Sequence, residues 1–89
     1  MIAKSFRVTG VVQGVGFRAF TERTARILEL GGWVRNAPDG SVEGHVEGEE
    51  VIVTRFVEAL RSGPPASRVS RLELTETTPL GHRSFAVRR

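Results

Sequence analysis

Eighty-nine residues, 39% hydrophobic and 26% charged, suit one small globular domain spanning residues 1–89 and exclude a disordered chain. The 13 basic and 10 acidic residues leave a net +3, and the arginines are interleaved with glutamates, so a solvated surface is expected and no nucleic-acid partner. Cysteine is absent, which excludes a disulfide framework, a thiol nucleophile and a thiolate zinc site, and the only histidines, His45 and His82, lie in separate segments, which argues against a metal site assembled from imidazoles.

The opening residues, Met1-Ile2-Ala3-Lys4-Ser5-Phe6, lack the apolar run of a signal peptide, and no later stretch approaches a membrane span. A cytoplasmic protein with no membrane contact is the expectation. Residues 4–12 read as a strand with a period of two: Phe6 and Val8 face one way, Arg7 and Thr9 the other. Gly10-Val11-Val12-Gln13-Gly14-Val15-Gly16 follows as a glycine-containing turn. Residues 17–30 take a helical period, with Phe17, Phe20, Thr24, Ile27 and Leu28 on one face, and Gly31-Gly32 predicted as its left-handed cap.

Trp33-Val34-Arg35-Asn36 is a short strand and Ala37-Pro38-Asp39-Gly40 a turn, because proline presets one dihedral and Asp-Gly accepts positive φ. Residues 41–47 return as a strand with Val42 and Val46 inward and Glu43, His45 and Glu47 outward. Gly48-Glu49-Glu50 opens a second helix whose acidic start suits the positive helix end and whose expected buried stripe is Ile52, Phe56, Ala59 and Leu60. Ser62-Gly63-Pro64-Pro65 stops it. Strands over residues 68–76, with Leu72 and Leu74 inward, and 83–88, with Phe85 and Val87 inward, complete the chain. Strand, helix, strand, strand, helix, strand is the split βαβ plan (βαββαβ): an α+β, ferredoxin-like fold with an antiparallel sheet and two helices on one face. A short fifth strand depends on how the last pieces pair.

Chemistry concentrates where the first strand turns into the first helix. Glycines there let successive amide hydrogens point into one concavity, and the helix adds unpaired amides and the positive end of its dipole. Arg18 can add a bidentate, permanently charged donor. The second helix neutralises its start with Glu49 and Glu50, whereas the first offers only Gly16, Phe17, Arg18 and Ala19, with no capping side chain and no acid. An external anion would fill that vacancy; the bland alternative is a glycine-rich turn carrying a surface arginine. Asn36, at a strand end in the same neighbourhood, could hold a water, although an Asn there is more often a turn former.

Gly10-Val11-Val12-Gln13-Gly14-Val15-Gly16-Phe17-Arg18 resembles the first signature of the acylphosphatase family, G-x-V-Q-G-V-x-F-R. Gly32-Trp33-Val34-Arg35-Asn36 followed by Asp39-Gly40-Ser41-Val42-Glu43 resembles the second. Gly63-Pro64 with Ala66 and Val69, and the terminal Ser84-Phe85-Ala86-Val87-Arg88, match in place, so the resemblance covers essentially the whole chain. It implies hydrolysis of the mixed anhydride between a carboxylic acid and phosphate, with no metal, no cofactor and no phosphoenzyme. By matching position, Arg18 would grip the phosphate with backbone amides of Gln13, Gly14, Val15, Gly16, Phe17 and Arg18, and Asn36 would orient the attacking water. Ala37 stands where many members carry threonine. The expected partners are an acyl phosphate and inorganic phosphate, the latter as product and inhibitor, acting on a monomer.

Two other classes compete. Gly14-Val15-Gly16-Phe17-Arg18-Ala19 fits a dinucleotide pattern, but the chain is too short for a doubly wound sheet and no acid stands where a ribose partner belongs. A non-catalytic anion- or RNA-binding module of the same fold is the alternative; RNA stacking would need exposed aromatics on central strands, and residues 41–47 carry none.

Overall fold

The computed structural model describes residues 1–89, built from β1 (Ile2–Val11), α1 (Phe17–Ile27), β2 (Gly31–Asn36), β3 (Val42–Gly48), α2 (Glu50–Ser62), β4 (Arg68–Thr77) and β5 (Phe85–Arg88). The strands form one sheet in the order β4-β1-β3-β2-β5. β1 runs antiparallel to β3 and β4, β2 antiparallel to β3, and β5 joins the far edge parallel to β2. Two βαβ units thus interlock: β1 and β2 are parallel with β3 between them, while β3 and β4 are parallel with β1 between them. That is the expected ferredoxin-like plan, with the fifth strand closing the β2 edge. No helix is long and apolar enough to cross a membrane.

The topology decides which chain ends meet. Val8 of β1 and Asn36 of β2 both stand opposite Val42 of β3. The strand exits that lead into residues 12–16 and 37–41 therefore emerge at the same end of the sheet. Both helices cover one sheet face, where Phe56 of α2 links the strands: its ring lies 5.6 Å from Phe6 and 5.8 Å from Phe85. Such aromatic pairs add to the area-dependent gain from burial.

Four local expectations shift. α1 ends at Ile27, three residues earlier than the periodicity suggested, and Glu29 takes the left-handed position (φ 57). Its buried face is Phe17, Thr21 and Ala25, while Ile27 is 74% exposed. A polar residue serves on that face because Thr21 Oγ1 donates to the Phe17 carbonyl at 2.8 Å. Gly31 and Gly32 do not cap the helix but begin β2. They are needed for close approach: a Cβ at Gly31 would stand 2.0 Å from the His82 carbonyl oxygen, and one at Gly32 1.9 Å from that of His45. On α2 the buried stripe is Val53, Phe56, Val57 and Leu60, with Ile52 and Ala59 half-buried at its margins.

The fourth difference has the largest consequence. His45 and Glu47 face away from the helices as expected, yet they are only 5% and 2% exposed. Residues 80–82 fold back over them. Glu47 Oε1 accepts the Gly81 and His82 amides, each at 2.7 Å, and Oε2 accepts the Leu80 amide at 2.9 Å and lies 2.6 Å from His45 Nε2. The carboxylate straps the segment that leads into β5.

Burial alone would raise the Glu47 pKa, but the bonds from the Leu80 amide, His45, and the His82 and Gly81 amides outweigh it and lower the pKa from 4.5 to about 2. A depressed carboxylate pKa contributes stability that is complete above the unfolded value and fades as pH falls through the folded one. Denaturant midpoints should therefore drop as pH falls from about 4.5 to about 2. Glu47→Gln should flatten that part of the profile and lower neutral-pH stability by about 1–3 kcal/mol. An unaltered acid limb in the variant would contradict the strap.

Candidate active site

Between β1 and α1 the chain turns through two left-handed glycines, Gly14 (φ 74) and Gly16 (φ 83), the second of which is the N-cap of α1. A Cβ at either would meet nothing within 4 Å, so backbone conformation and not crowding calls for glycine. Gly16 provides no side-chain cap and the first turn holds no acid. The first amide of the helix with an internal acceptor is that of Phe20, which donates to Gly16 O at 3.0 Å; no amide over residues 14–19 donates to the protein. α2, by contrast, carries Glu50 in its first turn. The start of α1 is thus a row of unspent donors at the positive end of a helix.

These donors border a hollow of about 170 Å³ lined by Gly14, Gly16, Arg18, Ala19 and Asn36, with Val12 and Phe17 as apolar walls. Arg18 is half-buried there and, unlike Arg7, Arg26 or Arg35, makes no ion pair. No carboxylate or imidazole lines the hollow. Asn36 reaches it from the end of β2, and its Oδ1 is buried without a hydrogen-bond partner. Such an orphan is rare enough to require a reason. Asn36 lines the hollow, so a water or substrate group held there could meet its amide.

The turn after Asn36 is clamped from two sides. On the open face of the sheet, Arg7 donates to Asp39 Oδ2 at 2.7 Å, to Ser41 Oγ at 3.0 Å and to Glu43 Oε1 at 2.8 Å. Asp39 Oδ1 in turn accepts the Ser41 hydroxyl at 2.6 Å and amide at 2.9 Å. The Ser41 hydroxyl and amide, with Arg7 nearby, hold the Asp39 carboxyl below its usual pKa. From the hollow's own loop, Gln13 Nε2 donates to the carbonyls of Ala37 and Ser41, both at 2.9 Å.

Of the residues singled out in the sequence, Gly14, Gly16, Phe17, Arg18 and Asn36 come together around one hollow, and Gln13 and Val15 do not line it. Val15 packs against the core. Gln13 also contributes a side-chain brace between the two loops. That role was not legible, because its partners lie 24 and 28 residues away.

A larger hollow of about 390 Å³ on the open sheet face is bordered by Arg7, Trp33, Glu43 and Glu73, among others. Its charges are already paired, Arg7 with Glu43 at 2.8 Å and Glu73 with Arg71 at 3.8 Å. Arg35 and Arg88 lie 5.2 and 4.6 Å from the centroid of Trp33, so its ring is no open stacking platform for a base. The smaller hollow keeps its donors free.

Comparison with known proteins points the same way. The acylphosphatase family model matches residues 4–87. The chain is 47% identical to the acylphosphatase of Thermotoga maritima over 88 residues, covering 99% of this chain and 98% of that one. With the acylphosphatase of Archaeoglobus fulgidus it shares 45% identity over 87 residues, 98% of each chain. The crystal structure of acylphosphatase from Bacillus subtilis superimposes with a TM-score of 0.97 at 41% identity and 100% coverage of both chains.

The Gln13 brace is testable through stability. Gln13→Ala removes two hydrogen bonds and should lower the unfolding free energy by about 1–3 kcal/mol in urea titrations of unchanged slope. Gln13→Glu should be worse at neutral pH, since it sets a carboxylate against two carbonyl oxygens. Equal stability of the two variants would show that the side chain does not bridge the loops.

Proposed function

The chain belongs to the acylphosphatase family and hydrolyses acyl phosphates to a carboxylate and inorganic phosphate; we propose that it does so in the hollow between residues 14–19 and Asn36. The observation that carries this reading is the combination of unspent amides and an unpaired Arg18 facing an unsatisfied Asn36. The amides and the guanidinium receive the phosphoryl oxygens, and Asn36 holds a water in line with the phosphorus–oxygen bond to the carboxylate.

Attack by that water forms the new phosphorus–oxygen bond as the bond to the acyl oxygen breaks. The carboxylate leaves with the electron pair and needs no proton from the enzyme. The attacking water loses its proton to a phosphoryl oxygen of the substrate, since no basic side chain lines the hollow. Catalysis then consists of positioning and charge stabilisation, the two contributions on which phosphoryl transfer mostly relies. The same donors fit inorganic phosphate, which makes the product a competitive inhibitor. The protein is read as a cytoplasmic monomer acting without a metal.

Hydrolysis of benzoyl phosphate in excess chelator tests the proposal. The wild type should turn over rapidly and show no enzyme group titrating near neutral pH. Arg18→Ala should lose roughly 100- to 1000-fold in turnover, because the guanidinium meets charge that redistributes in the transition state, and should lose phosphate affinity as well, because the same group holds the product. Asn36→Ala should lose rate while its phosphate inhibition constant stays near that of the wild type. Equal weakening of phosphate inhibition in both variants would refute this division of roles.

A further inference from the structure

We propose that His45, Glu47 and His82 bind a single divalent transition-metal ion of the zinc class, at the end of β3 remote from the hollow. The sequence argued against an imidazole site because the two histidines stand in separate segments. The fold brings them together: their ring centroids are 5.3 Å apart, tilted by 55°. One donor atom from each of the three residues lies within 4.8 Å of the others. Two imidazoles and a carboxylate form a donor set that suits zinc and its neighbours, with water completing the coordination.

The frame around these donors is rigid. His45 and Glu47 sit two residues apart on β3, on one face, and both are buried. His82 is fixed at its backbone from both sides: its amide donates to Glu47 Oε1 at 2.7 Å, and its carbonyl occupies the space that a Cβ on Gly31 would fill. Three backbone amides orient the Glu47 carboxylate, the kind of outer hydrogen bonding that metal-ligating carboxylates carry. His45 Nε2 and Glu47 Oε2 lie 2.6 Å apart. The ion would part these two atoms and bind Nε2 of the neutral imidazole, the tautomer that carries its proton on Nδ1. His82, only half-buried, has the freedom to draw its ring in to ligand distance.

The cluster shares no residue with the Arg18–Asn36 hollow. Its ion would fasten residues 80–82 and the start of β5 to β3, and would stabilise the fold without entering the hydrolysis.

The test uses untagged full-length chain, stripped with chelator and dialysed, titrated calorimetrically with Zn²⁺ alone. One ion should bind per chain, and Zn²⁺ at about 100 times its dissociation constant should raise Tm by roughly 10–20 °C. His82→Ala, a change at a half-buried loop position, should weaken binding at least about tenfold and abolish the Tm rise, with acyl phosphate hydrolysis unchanged. Because substitution of buried His45 could prevent folding, Co²⁺ absorption of the wild type provides a second measurement. Visible bands of a low-coordinate nitrogen and oxygen site should appear in the wild type and vanish in His82→Ala. Absence of stoichiometric binding, or equal Zn²⁺ affinity in His82→Ala, overturns the proposal.

Discussion

The molecule is organised around a helix start that is left unsatisfied. Backbone amides without an acceptor are costly when buried and tolerable only where water or an anion can reach them. The opening of α1 meets that condition at the surface of a small hollow, and the rest of the neighbourhood preserves it. No acid enters the first turn, no side chain caps Gly16, and no carboxylate lines the hollow or pairs with Arg18. A single aspartate at the N-cap would satisfy one of the donors and weaken the attraction for an anion. α2 follows the ordinary solution with Glu50, so the difference lies in the sequence of the two helix starts and not in the fold.

An anion cradle alone would only bind. What makes a second group available is the topology: β1 and β2 run parallel on either side of β3, so their exits arrive at the same end with Asn36 opposite Val42. Arg7 and Asp39 hold the following turn from the open sheet face, while Gln13 ties it to the glycine loop. Much of the second signature is therefore structural. Asp39 accepts the Ser41 amide, Gly40 supplies φ 94, and Glu43 receives Arg7 and Arg35; only Asn36 reaches the hollow. Functional groups mounted on strand ends and cross-braced in this way hold their geometry better than groups on free loops.

Features encoded by local periodicity and turn chemistry were legible in the sequence. The alternation in β1, the Asp39-Gly40 turn and the contrast between the two helix starts each follow from neighbours a few positions apart. The interlocked sheet followed from element order. The misplacements all involve distant partners. Gly31-Gly32 looks like a helix cap until the backbones of His82 and His45 are seen to press on it. On α2, residues 52, 56, 59 and 60 and residues 53, 56, 57 and 60 are both acceptable helical stripes, and only packing against the sheet chooses. The burial of His45 and Glu47 depends on residues 80–82 returning from more than thirty positions away. Gln13 belongs to the same class: its motif position was evident, but the direction of its side chain was not.

The hollow's composition also limits where the catalytic advantage can arise. In the proposed reaction the amides and the guanidinium hold the phosphoryl oxygens in substrate and product as well as in the transition state, and only the part of that contact that strengthens on the way to the transition state raises turnover. An acyl phosphate, however, already carries a good leaving group, so the remaining barrier is mostly that of bringing water to phosphorus in line. Effective molarities of well-oriented groups show that positioning can supply much of such a barrier. In the proposed reaction the strong donors on α1 fix the phosphorus atom, and the Asn36 amide fixes the water relative to it. The clamps on residues 37–41 then matter for rate as much as for stability, because they set the separation between the two.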